Sequence, residues 1–126
     1  MAVRAIRGAI TVDADDPGEI RRRTIKLLEV LFERNDLELD DVISIFFTAT
    51  DDVRSLPPAA AARAFGLVDV PLLCAQEMGS DVGLDHCVRL LLHIDTERPR
   101  EELRHVFLRQ ATTLRPELAE PGDEEL

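Results

Sequence analysis

A chain of 126 residues with a net charge of −10 is sized for one domain with a modest core, and its acidity makes a nucleic-acid backbone an unsuitable partner. Apolar residues are 45% and charged residues 32%, the balance of a soluble protein, and no run approaches the roughly 18–20 apolar residues needed to cross a bilayer. The start, Met1-Ala2-Val3-Arg4, has no signal-peptide pattern, so a cytoplasmic location without nucleic-acid or membrane partners is expected.

Val3 to Val12 reads as a strand rich in β-branched residues, with Arg4 and Arg7 on opposite faces. Asp16-Pro17-Gly18-Glu19 is a helix start, with Asp16 as N-cap and Pro17 in the first turn. Ile20, Thr24, Leu27, Leu28, Leu31 and Phe32 follow at helical spacing, and the helix is expected to end near Asn35. Val42 to Thr48 reads as a buried strand. After a loop from Thr50, Pro58 opens a short helix closed by Gly66.

Leu67 to Cys74 is a third strand candidate, placed at an edge or interface by Pro71, and Gln76 to Asp81 is a polar loop. The strongest strand signal is His86 to Ile94, with Val88, Leu90, Leu92 and Ile94 on one face and Cys87, Arg89, Leu91 and His93 on the other. Arg104 to Leu114 suits a helix, while His105 to Leu108 suits a short strand equally well. The acidic tail, residues 116–126, is expected to be mobile beyond a single domain of residues 1–115. Strands separated by one long and one short helix imply an α/β (α+β) fold, and one long helix covers only one sheet face, so oligomerisation is expected to cover the other.

Lys26 is the only lysine, so an anion site in this chain must use arginine, whose planar fork grips carboxylates. Arg89 stands out because it interrupts the apolar run Cys87-Val88-Arg89-Leu90-Leu91-Leu92. A buried guanidinium keeps its proton and needs an anion, which is either a ligand or a structural ion-pair partner. Arg7 lies beside Gly8, which permits close backbone approach. Glu77 sits at a strand end, suited to accept from a substrate hydroxyl or to act as a base. Arg63 and Arg115 are unremarkable by composition. Cys74 and Cys87 are too few for a disulfide framework, and with His86, His93 and His105 they lack zinc-type spacing, so no metal is expected.

The ordered set Ile6-Arg7-Gly8-Ala9, Cys74-x-Gln76-Glu77-Met78, Cys87-Val88-Arg89 and Leu114-Arg115-Pro116 resembles the small monofunctional chorismate mutases of the AroH class. Thr48-Ala49-Thr50, Pro58-Ala59, Arg63, Gly83-Leu84 and Arg104-His105-Val106 extend the resemblance over nearly the whole chain. It implies a mixed sheet in a homotrimeric pseudo α/β barrel, with active sites at subunit interfaces, chorismate as substrate and no cofactor. Arg89 would face the ether oxygen and a carboxylate of the substrate, Arg7 a carboxylate, and Glu77 and Cys74 the ring hydroxyl. Arg63, Arg115 and the segment Pro57, Ala59, Ala60 would come from a neighbouring subunit, with Leu73 and Leu114 lining the substrate. The tail would tighten over bound ligand, and His105 to Leu108 would be a strand.

Three residues depart from that pattern. Pro57 replaces a phenylalanine, Ala60 a lysine, and Phe107 a tyrosine that would reach a substrate carboxylate, so weaker substrate binding is expected. Two other readings fit less of the sequence: a trimeric carboxylate-binding protein without catalysis, and an imine deaminase of the RidA type.

Overall fold

Asp16 starts the long helix as its side chain predicts: its carboxylate accepts from the Glu19 N–H at 3.0 Å, and Pro17, with no N–H to satisfy, takes the first helical position. This helix, α1, runs Pro17–Asn35 in a computed structural model that describes residues 2–79 and 83–126. All six residues of the predicted stripe are buried. Burial pushes the Glu19 carboxyl up, but the Asp13 N–H and the guanidinium groups of Arg23 and Arg22 outweigh it and hold the group below its ordinary value. Asp36, in the left-handed region at φ 50°, ends the helix.

Five strands form one sheet: β1 (Ala2–Thr11), β2 (Val42–Ala49), β3 (Leu72–Gln76), β4 (Cys87–Thr96) and β5 (Val106–Leu108). Their order is β3-β2-β4-β1-β5. The central strand β4 runs antiparallel to β1 and β2, while the outer pairs β1·β5 and β2·β3 are parallel, so the sheet is mixed. A short helix α2 (Pro58–Phe65) joins α1 over one face, where Leu27, Leu31, Phe47, Ala62, Leu90 and Leu92 share the main core. Among the described residues, no helix is long and apolar enough to cross a membrane.

Two sequence expectations need correction. The third strand begins at Leu72 rather than Leu67, because the Leu67 N–H bonds back to Ala62 O at 3.0 Å and closes α2, and Pro71 then supplies no donor. β2 is buried on one face only: Val42, Ile45 and Phe47 face the helices, while Phe46 on the other face is 46% exposed. The ambiguous segment resolves as the strand β5 followed by a 3-10 turn at Arg109–Leu114. Of the polar loop, Ser80 and Asp81 lie outside the described residues. In the tail, Asp123 is buried and its two carboxylate oxygens pair with Arg34 on α1 at 2.6 and 3.2 Å.

Candidate active site

Register decides which side chains meet. Residues directly opposite one another on paired strands share a sheet face. Phe107, Ala9, Arg89, Thr48 and Ala75 therefore form one row across all five strands, on the face away from the helices. Arg7, Leu91, Phe46 and Leu73 form the adjoining row on that face. Two arginines distant in sequence are thus brought together by the pairing of β1 with β4, and the segment after β3 delivers Glu77 beside them.

The centre of this arrangement is Glu77. Its N–H extends the β2–β3 ladder by bonding Ala49 O at 2.9 Å, which brings the carboxylate over the Arg89 row. Glu77 Oε2 accepts from Thr48 Oγ1 at 3.1 Å and lies 3.2 Å from Arg89 Nε. The second approach is close enough for an ion pair but not aligned for a hydrogen bond, so the buried Arg89 Nε has no acceptor among the described residues. Arg7 extends along the same face, its guanidinium carbon 5.7 Å from the centroid of the buried Phe107 ring, within range for cation–π attraction.

Arg7, Phe46, Thr48, Arg89, Leu91 and Phe107 line an open concavity of about 400 Å³, and Arg89 also lines a neighbouring hollow of about 240 Å³ with Glu77 and Met78. Two guanidinium groups and one carboxylate beside an apolar floor suit a small anionic ligand with polar groups to place. The nearby Cys87 is buried, which disfavours its thiolate. Burial pushes its thiol up to about 11, with Arg89 pulling only part of the way back.

Of the remaining predicted residues, Leu73 and Leu114 border this group, while Cys74, Pro57, Ala59, Ala60 and Arg63 do not join it within one chain. Cys74 sits in the row of Gly8, Leu90 and Phe47, on the helix side of the sheet, where it lines a separate hollow of about 230 Å³ with Pro57 and Pro58. Arg63 is exposed on α2, Ala60 is half-buried there and Ala59 fully so, with α2 packed on the same helix side. Leu73 is 57% exposed on the open face. Leu114 packs against the small cluster of Ala9, Cys87, Phe107 and Ala111, and Arg115, exposed beside it, pairs with Glu117 at 2.5 Å.

The family model described as chorismate mutase type I matches residues 3–118. This chain belongs to the type I chorismate mutase family. It is 39% identical over 127 residues to chorismate mutase AroH of Bacillus subtilis (strain 168), covering 100% of each chain. With chorismate mutase AroH of Thermus thermophilus it shares 42% identity over 117 residues, 92% of this chain and 96% of that one. A solved chorismate mutase from Clostridium thermocellum superposes with a TM-score of 0.85 at 40% identity, covering 87% of this chain and 98% of that one.

For a chorismate mutase fold of this type, the sequence reading passed over Thr48 as a site residue although it lies opposite Arg89 and holds Glu77. It also passed over Asp15. That carboxylate accepts from the N–H groups of Arg54 and Ser55 and the Ser55 hydroxyl, each at 2.8 Å, and so shapes the loop leading to Pro57. These contacts, the Arg54 N–H first, hold Asp15 below its ordinary value.

Proposed function

We propose that this chorismate mutase works on the open sheet face, converting chorismate to prephenate by a [3,3] rearrangement. The observation that carries the site is Arg89, which lines both the concavity shared with Arg7 and the hollow shared with Glu77, and whose buried Nε–H has no acceptor among the described residues. A buried donor without an acceptor costs about 1–3 kcal/mol, a cost offset when a ligand oxygen arrives.

In the reaction one C–O bond of the enolpyruvyl ether breaks while one C–C bond forms to the ring. No proton is transferred and no outside nucleophile attacks. The protein's contribution is therefore to hold the enolpyruvyl arm over the ring and to stabilise charge building on the ether oxygen. Arg89 takes the second task, since a fixed charged donor gains more from the stretched bond than from the ground state. Arg7 orients a carboxylate, and Glu77, held by Thr48, accepts from the ring hydroxyl. Phe107 presents its ring to the Arg7 guanidinium but has no hydroxyl to offer the substrate.

We infer further that the working unit is a cytoplasmic homotrimer, each chain a single domain of residues 1–115 with the segment 116–126 closing over ligand. In it the hollow of Cys74, Pro57 and Pro58, with Ala59, Ala60 and Arg63, meets the Arg89 face of a neighbour, and Leu73, Leu114 and Arg115 close the rim. The exposed row of Phe46, Leu73 and Leu91 supplies the apolar surface for that contact.

Mixing the purified chain with chorismate and following loss of its ultraviolet absorbance, with acid conversion of product to phenylpyruvate, tests the activity. Turnover unaffected by a chelator is expected. Chorismate bound without turnover would overturn the reading in favour of a carboxylate-binding protein.

A further inference from the structure

Arg7 is held from its backbone as well as by Phe107. Strand β5 contributes only Val106–Leu108 to its ladder with β1, and the residue before it continues that ladder with a side chain: the Arg7 N–H donates to Nδ1 of His105 at 2.9 Å. A backbone N–H can only donate. Nδ1 must therefore be unprotonated, and the neutral ring carries its proton on Nε2.

The imidazole is placed by a second clamp. Buried Asn35, the last residue of α1, donates through Nδ2 to Arg104 O at 2.9 Å and accepts through Oδ1 from the Arg104 N–H at 2.7 Å. His105 is the next residue, so the end of the long helix fixes where the ring stands.

Charge around the ring favours the neutral form. Burial first, then Arg7 and Arg115, hold the His105 pKa below its ordinary value. Arg104, Glu117 and Glu120 also line the hollow beside His105, but both carboxylates are engaged, Glu117 with Arg115 and Glu120 with Arg34 and Arg104.

We propose that His105 is a positioning residue for substrate binding: its neutral ring fixes the Arg7 backbone, and so the aim of the Arg7 guanidinium, and protonation of the ring releases it. This rests on the assignment of Arg7 as the carboxylate ligand. A cationic ring cannot accept at Nδ1, and it adds a third positive charge beside Arg7 and Arg115. The rearrangement itself moves no proton, so the device acts through KM and not through the chemical step.

The test follows the Arg7 amide by NMR in uniformly 15N-labelled protein between pH 5 and pH 8, alongside KM for chorismate, in the native chain, His105→Asn and His105→Ala. Asparagine presents Oδ1 near the place of Nδ1 and does not titrate. In the native chain the Arg7 amide shift is expected to follow the ring titration, with KM rising as pH falls through the same midpoint. His105→Ala should raise KM about three- to tenfold above the native midpoint, the loss of one hydrogen bond's contribution, and approach the native value below it. His105→Asn should recover part of that affinity and show no inflection at the native midpoint in KM or amide shift. An Arg7 amide indifferent to the ring titration overturns the proposal, as does a native KM in His105→Ala while Arg7→Ala raises it. If Arg7→Ala also leaves KM unchanged, the assignment of Arg7 falls, and the amide titration alone decides whether His105 holds its backbone.

Discussion

Thr48 and Arg89 face each other across β2 and β4 and compete for one oxygen: Thr48 Oγ1 donates to Glu77 Oε2 at 3.1 Å, while Arg89 Nε stands 3.2 Å from it without alignment. The hydroxyl thereby holds Glu77 in an ion pair with Arg89 that lacks an aligned hydrogen bond and leaves the Arg89 Nε–H without an acceptor among the described residues. Thr48→Val keeps the β-branched shape and removes the donor. It is expected to lower kcat/KM about three- to tenfold, one hydrogen bond's worth, because Glu77 then turns toward Arg89. A variant with native kcat/KM would show that Thr48 merely fills space.

The role proposed for Arg89 predicts the larger effect on rate. Arg89→Ala is expected to cost about 3–5 kcal/mol in activation free energy, in line with the loss of a preorganised donor to a developing oxyanion. Arg89→Lys keeps the charge but replaces a planar fork with a point ammonium, so it should recover little. Single-turnover rates at saturating chorismate separate this effect from binding. Turnover near the native rate in Arg89→Ala would remove Arg89 from the chemical step.

Gly8 tests how tightly the sheet carrying Arg7 seats on α1. A Cβ there would stand 3.0 Å from Leu31 Cδ1 and 3.4 Å from both Leu27 Cδ1 and Leu90 Cδ1. All three leucines are buried and cannot swing to solvent. Gly8→Ala is therefore expected to destabilise the fold by about 1–3 kcal/mol through overpacking, read from chemical denaturation. A shift of β1 away from α1 would also displace Arg7, so KM should rise with the loss of stability. Unchanged stability would mean that the leucine rotamers absorb the methyl group.

How much of this was legible in the sequence depended on how local each cause is. Helix α1 was readable because Asp16, Pro17 and the apolar stripe lie within one segment, and β4 because its alternation is complete from Val88 to Ile94. Strand β5 stayed ambiguous because three residues carry no period, and its identity comes from pairing with β1 nearly a hundred residues away. The nearness of Arg7 to Arg89 is a matter of register: Ala9 opposes Arg89, and Arg7 opposes Leu91 in the next row. Spacing along the chain cannot supply that. Nor can it show that a histidine side chain completes a backbone ladder, since nothing in Arg104-His105-Val106 points to Arg7.

The open sheet face makes a further demand that one chain does not meet. Phe46 lies opposite Leu91 on one side and Leu73 on the other, so three exposed apolar side chains form a continuous row beside Arg7. A mixed sheet with one covered face leaves such a row in water unless another copy covers it. Phe46→Asp puts a charge in the middle of the row without touching the helix-side core, so the chain should still fold. Its circular dichroism should match the native protein, while, on the trimer proposed above, its sedimentation mass should fall from about three chains to one. Chorismate turnover should fall with the mass, because the hollow of Cys74 and Pro57 then has no neighbouring Arg89 face to meet. Native mass and native turnover in Phe46→Asp would mean that this row is not the surface through which the copies assemble.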